Sequence, residues 1–197
     1  MPAGRPRQFD PSAALTQAME LFWARGYEAT SLQELLGATG LSRSSLYQTF
    51  GGKHELFERC LDRYREIVVE RMWRRLEEVP SGRAFIEESL RRTLAEQRAP
   101  DGPRGCLVLN TANEFGHRDP LITERVRAGI DGFRTVFAEA VRRGQADGSI
   151  RSTREPHRLA AYLVAGMGGL RTLVKADEGE QHVESALDVL LLALDRG

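Results

Sequence analysis

The chain carries 28 basic and 28 acidic residues among 197, so no overall positive field marks it for nucleic acid, and any DNA-binding surface has to come from local placement of basic groups. That length is enough to bury a core beyond a minimal DNA-binding module. Two cysteines, Cys60 and Cys106, exclude a disulfide framework and stand in no metal-ligand spacing, so a reducing cytoplasm is expected, with no metal and no cofactor.

At the start, Gly4-Arg5-Pro6-Arg7 is a short basic arm whose glycine and proline discourage helix; either Arg5 and Arg7 lie along a minor groove or the arm is a solvated terminus. No apolar stretch follows it, and no run approaches the roughly 20 apolar residues of a membrane span, so neither an export leader nor a membrane contact is expected. Asp10-Pro11 sets a capping carboxylate before a proline suited to the first helical position, and Leu15, Ala18, Met19 and Phe22 follow at helical spacing up to Gly26. Ser31-Leu-Gln-Glu34 fits a capping box and predicts a short helix from Ser31 to Ala38.

Thr39-Gly40-Leu41 then makes a tight turn into a second short helix, Ser42 to Thr49, which completes a helix-turn-helix. In that second helix Leu41, Leu46 and Phe50 face inward and leave Arg43, Ser44, Tyr47 and Gln48 outward. Arginine pairs with guanine, glutamine with adenine, and hydroxyls with bases or phosphates, while Lys53 at the next helix start is placed for a phosphate. A helix that only packs has less need of that set.

From Gly52 to Glu78 the apolar positions Leu56, Phe57, Cys60, Leu61, Tyr64, Ile67 and Val68 predict one helix of roughly 40 Å, long enough to join two domains. Clusters of Pro, Gly, Ser and charge at 79–82, 99–104 and 148–156 divide the remainder, and Asp119-Pro120 repeats the capping signal. The fold class is all-α with about nine helices, a helix-turn-helix DNA-binding domain over 1–52 and a second helical domain over 53–197.

The segment Thr30-Ser-Leu-Gln-Glu-Leu-Leu-Gly-Ala-Thr-Gly-Leu-Ser-Arg-Ser-Ser-Leu-Tyr-Gln-Thr-Phe-Gly-Gly-Lys-His-Glu-Leu-Phe57 resembles the TetR family of repressors. The resemblance implies a three-helix DNA-binding domain on a helical C-terminal domain, a homodimer built mostly on the last two helices, an effector pocket, and a double-stranded palindromic operator as target. By position it puts Ser31, Arg43, Ser44, Ser45, Tyr47, Gln48 and Lys53 on DNA. His54 stands where the family often has an acidic residue, and a cation at a helix start suggests an added phosphate contact.

For the unidentified small-molecule effector, Asn110, Asn113, Glu114, Phe133, Phe137 and Tyr162 are candidate pocket residues, with ordinary core as the plainer alternative. Arg104-Gly-Cys106-Leu opens a helix and places Cys106 in its first turn beside an arginine, a setting that lowers thiol pKa values. The stretch resembles a branch of the family in which a Gly-Cys-Leu segment opens the sixth helix and some members sense electrophiles. An inert, buried cysteine is the competing reading.

Near the end, Gly166, Gly169 and Leu170 read as contact points for another helix, since the strand that a phosphate-cradling glycine loop needs is absent. The last helix offers Leu187, Leu190, Leu191 and Leu194, to its own domain, a partner copy, or both. No nucleophile with its base, carboxylate pair or metal spacing suggests an enzyme. A helical ligand-binding or adaptor protein without DNA binding is the alternative that net neutrality keeps open.

Overall fold

The computed structural model describes residues 10–95 and 102–195, so Arg5 and Arg7 lie outside the described residues. Among these residues there is no strand, and nine α-helices follow in order: α1 (Pro11–Arg25), α2 (Leu32–Thr39), α3 (Arg43–Phe50), α4 (Lys53–Glu78), α5 (Gly82–Ala95), α6 (Leu107–Phe115), α7 (Pro120–Ala146), α8 (Pro156–Lys175) and α9 (Glu180–Leu191), with a 3-10 turn at Leu192–Leu194. The all-α expectation holds.

Local chemistry explains where these helices start. The Asp10 carboxylate accepts the Ser12 N–H at 2.8 Å, and Asp119 accepts that of Ile122 at 3.1 Å. Ser31 and Glu34 form the reciprocal capping box, at 3.2 Å and 2.8 Å, so Ser31 stands just outside α2. Gly40 then closes α2 at φ 66°, a left-handed conformation that a side chain would strain.

Helices α1 to α3 share a core with the first turns of α4. Phe22 and Phe57, both fully buried, meet edge to face at 4.8 Å, and each contributes about 1.5–3 kcal/mol by leaving water. Cys60 belongs to the same core, its Sγ 3.8 Å from the Leu15 carbonyl, and burial pushes its thiol pKa up. The 26 residues of α4 span about 39 Å, so the same helix continues past Tyr64 into a second core with α5, α6, α7 and α8.

Helix α7 is the spine of that second core, burying Phe133, Val136, Phe137 and Val141. Helix α8 lies along it and carries α9 on its other side. The glycine at 166 serves this internal packing: a Cβ there would sit 2.4 Å from the Leu190 side chain of the same chain.

Candidate nucleic-acid interface and the cavity behind it

Helix α3 presents Arg43, Ser44, Tyr47 and Gln48 to solvent and holds itself down through Leu41, Leu46 and Phe50, all buried. Its start is capped by Ser42, whose Oγ accepts the Ser45 N–H at 3.1 Å and lies 3.0 Å from the Ser44 hydroxyl. Ser45 is therefore half-buried in the cap rather than outward. Tyr47 is 47% exposed, an uncovered aromatic ring among polar neighbours. Lys53 opens α4 with its Nζ 4.2 Å above the Tyr27 ring, a cation–π contact that fixes the ammonium beside the recognition helix. Ser31, Arg43, Tyr47, Gln48 and Lys53 thus all lie on the helix-turn-helix and the start of α4.

His54 faces elsewhere. Its Nε2 is 2.6 Å from Asp119 and its Nδ1 is 3.2 Å from Glu58, so both ring nitrogens are committed to carboxylates. The hydrogen bond to Asp119, chiefly, raises its pKa above the ordinary histidine value. In place of a phosphate contact, the residue links the start of α4 to the start of α7.

That link is one of three that join the reader to α6 and its flanks. At the far end of α6 the Glu114 carboxylate accepts the backbone N–H of Tyr27 at 3.0 Å and of Glu28 at 2.7 Å, and Phe115 packs on Tyr27 and Phe57 with ring centroids 5.1 and 5.7 Å apart. Before its near end the Trp23 indole donates to the Gly105 carbonyl at 3.1 Å, while Arg104 pairs with Glu20 at 2.6 Å and lies over the Trp23 ring. A nine-residue helix is therefore tied at both ends to the DNA-binding half.

Cys106 caps α6 with extended backbone instead of lying in its first turn, and it is buried, 4% exposed. Arg104, expected beside the thiol, is taken by Glu20 and Trp23. The neighbour of Cys106 is Tyr64, whose hydroxyl pKa is pushed well up, first by burial and then by the cysteine.

Behind α6 lies a cavity of about 120 Å³, lined by Cys106, Phe133 and Phe137 as the sequence suggests. It also takes Tyr64, Met72, Phe85 and Met167, with Arg71, Arg75, Arg92 and Glu88 among its lining residues. The stripe Tyr64, Val68, Met72 was readable at helical spacing on α4; Trp23 arrives from α1 by tertiary packing alone. Asn110, Asn113 and Glu114 line a different space, an open cleft of about 630 Å³ between α1, α6 and α8. Asn110 is held there, donating to the Arg104 carbonyl at 2.9 Å and accepting from Lys175 at 2.9 Å. Tyr162 lines neither space: it is 46% exposed on the outer face of α8.

The proposed contact residues near the end also need correction. Leu170, Leu187, Leu190, Leu191 and Leu194 are all buried within their own chain, and Gly166 is covered by Leu190. Gly169 alone is exposed, with nothing facing its Cβ direction. The large apolar side chains left exposed on α8, α9 and the 3-10 turn are Tyr162, Val189 and Leu192. No helix among the described residues is long and apolar enough to cross a membrane, and no group of metal-ligating side chains occurs among them.

A capped helix-turn-helix with DNA-reading side chains outward, locked to a larger helical domain, defines a helix-turn-helix transcriptional regulator. The chain belongs to the TetR family of transcriptional repressors: residues 14–60 match the family described as "Bacterial regulatory proteins, tetR family", and residues 83–190 match "Tetracyclin repressor-like, C-terminal domain". It is 32% identical over 185 residues to the transcriptional repressor ComR of Escherichia coli (strain K12), covering 89% of this chain and 83% of that protein. To the uncharacterized regulator YezE of Bacillus subtilis (strain 168) it is 29% identical over 193 residues, or 98% of this chain and 100% of that one. Among solved structures, the TetR family regulator CifR, in a cysteine-mutant form complexed with a 26-base-pair double-strand operator, superposes with a TM-score of 0.81 at 32% identity, covering 96% of this chain and 99% of that one.

Proposed function

We propose that the protein binds a palindromic operator as a homodimer, with one α3 per major groove, and releases it when a small molecule occupies the cavity behind α6. The observation that carries this reading is the double anchorage of α6: Cys106, its cap, forms cavity wall, while Glu114 and Phe115 hold the reader. A ligand that moves the cap changes the separation of the two α3 helices, which must stay about 34–36 Å apart to match one turn of DNA. Binding to chromosomal DNA would place the protein in the cytoplasm.

The homodimer reading rests on α8 and α9. Tyr162, Val189 and Leu192, at 46%, 63% and 45% exposure, are three of the five large apolar side chains left in water among the described residues, and the exposed Gly169 permits close approach between them. Modification of Cys106 is a second route to release. It is favoured by one observation: Cys106 lines both the inner cavity and the outer cleft, so a reagent in either space reaches the same cap.

A gel shift of the protein against the DNA flanking its own gene, with salt varied, tests the reading. A palindrome-dependent complex that weakens steeply with salt is expected. The absence of any complex at low salt would favour a helical ligand-binding or adaptor protein instead.

A further inference from the structure

We propose that the ligand of the cavity behind α6 is a small anion with an apolar body, specifically a single-ring aromatic carboxylic acid; this rests on the reading of that cavity as the effector site. Size sets the first limit. A cavity of about 120 Å³ is comparable with the engineered cavity of about 150 Å³ that accepts benzene, so one ring fits, whereas a fused ring system or a long acyl chain requires the walls to move.

The walls set the second. Phe85 and Phe137 meet edge to face at 5.7 Å, and with Phe133, Met72 and Met167 they line the cavity with aromatic and thioether surface, which favours a flat ring. Charge sets the third. Among the described residues that line it, the guanidinium groups of Arg71 and Arg75 on α4 and Arg92 on α5 stand against a single carboxylate, Glu88.

Glu88 is already shared, 2.9 Å from Arg75 and 3.0 Å from Arg92, and Arg75 is further paired with Glu78 at 3.1 Å. Arg71 is exposed and has no ion pair among the described residues. Among the described residues, Arg71, Arg75 and Arg92 thus set three positive charges against the two negative charges of Glu88 and Glu78. A cationic ligand is repelled there, and a neutral one gains nothing from the guanidiniums. A carboxylate whose ring occupies the apolar wall reaches Arg71 and the outer edge of the Arg75–Glu88–Arg92 cluster, where a planar guanidinium pairs with it through two parallel hydrogen bonds.

The test uses the full chain with Trp73 replaced (Trp73→Phe), which leaves Trp23 in the cavity wall as the fluorescence reporter. Benzoate and phenylacetate are titrated against benzamide and benzylammonium as neutral and cationic counterparts of matched size. The acids are expected to bind saturably and at least about tenfold tighter than the amide, the equivalent of one charge-assisted contact. Arg71→Gln, at an exposed position, should weaken the acids several-fold and leave benzamide binding and the circular dichroism spectrum unchanged. Equal affinity for acid and amide, or no saturation by either acid below about 10 mM, overturns the proposal. A parallel gel shift separates it from the effector reading: acids that bind yet leave the operator complex intact sink the effector role and keep the ligand class, while release by a neutral or cationic ring does the reverse.

Discussion

The Glu114 carboxylate and the Tyr27 backbone N–H, 3.0 Å apart, join the regulatory half of the molecule to the DNA reader by a bond across 87 positions of sequence. The adjoining Glu28 N–H adds a second at 2.7 Å. Both donors lie in the loop between α1 and α2, so their position fixes how the helix-turn-helix is presented. Replacing Glu114 by alanine leaves the half-buried Tyr27 donor without its acceptor, at about 1–3 kcal/mol. A fall of several degrees in melting temperature is expected, together with a smaller difference in operator affinity with and without effector. An unchanged melting temperature and an intact effector response would show that this contact transmits nothing.

His54 and Asp119 form the second bridge, 2.6 Å apart, and their ionisation makes it pH-dependent. The Asp119 hydrogen bond raises the His54 pKa, helped by Glu58 and Glu55; the Ile122 N–H, then His54, lowers that of Asp119. Partial burial of the ring opposes the rise, and Arg125 pairs with Glu58 at 3.2 Å. A raised histidine pKa gives stability that is complete below 6.5, its ordinary value, and disappears as pH climbs through the folded value. A lowered aspartate pKa gives stability that is complete above 3.8 and disappears as pH falls through the folded value. Wild-type protein should therefore melt above His54→Gln near pH 5.5, by the few degrees that about 1 kcal/mol provides, and the two curves should draw together as pH rises through the folded value of His54. Parallel curves across that range would remove the bridge as the cause.

On the operator, Arg43→Ala and Gln48→Ala should each cost about 1–3 kcal/mol and relax base preference at one position per half-site. Lys53→Gln should weaken all sequences alike and reduce the salt slope by about 1 per site. Measuring affinities for single-base operator variants at several salt concentrations distinguishes the two behaviours. If Lys53→Gln instead changed base preference, the Tyr27 contact would have to be positioning α3 rather than a phosphate-binding ammonium.

The difference between what was legible and what was not follows the range of the interactions. Caps at Asp10, Ser31 and Asp119 act over two or three residues, so sequence spacing reveals them, as it does the inward set Leu41, Leu46 and Phe50. The partners of Arg104, His54 and Glu114 lie far away in the chain, and no local pattern announces them. The inner cavity was half legible: Phe133 and Phe137 stand on the buried stripe of α7, but its arginines come from α4, α5 and α8, and Trp23 crosses from α1. On α9 the apolar period was legible while its direction was left open between its own domain and a partner copy. Leucines every three or four residues mark a buried face, and one buried face looks the same whether its cover is α8 or another chain.

That ambiguity yields the last prediction. If α9 turned its leucines to a second copy, Leu187→Ala would dissociate the dimer; since Leu187 is fully buried in its own chain, the expected result is a loss of about 2–5 kcal/mol of fold stability with the dimer retained wherever the protein stays folded. Val189, at 63% exposure, has the opposite expectation. Val189→Glu leaves the monomer core untouched, but a two-fold axis brings each new carboxylate into the interface and counts its desolvation twice. Sedimentation should show Val189→Glu as a folded monomer with wild-type helicity, and because a monomer reads a single half-site, its operator affinity should fall by orders of magnitude while the effector site still binds. A Val189→Glu protein that remains dimeric would place the interface on another face, and Leu121, 52% exposed at the start of α7, would be the next position to substitute.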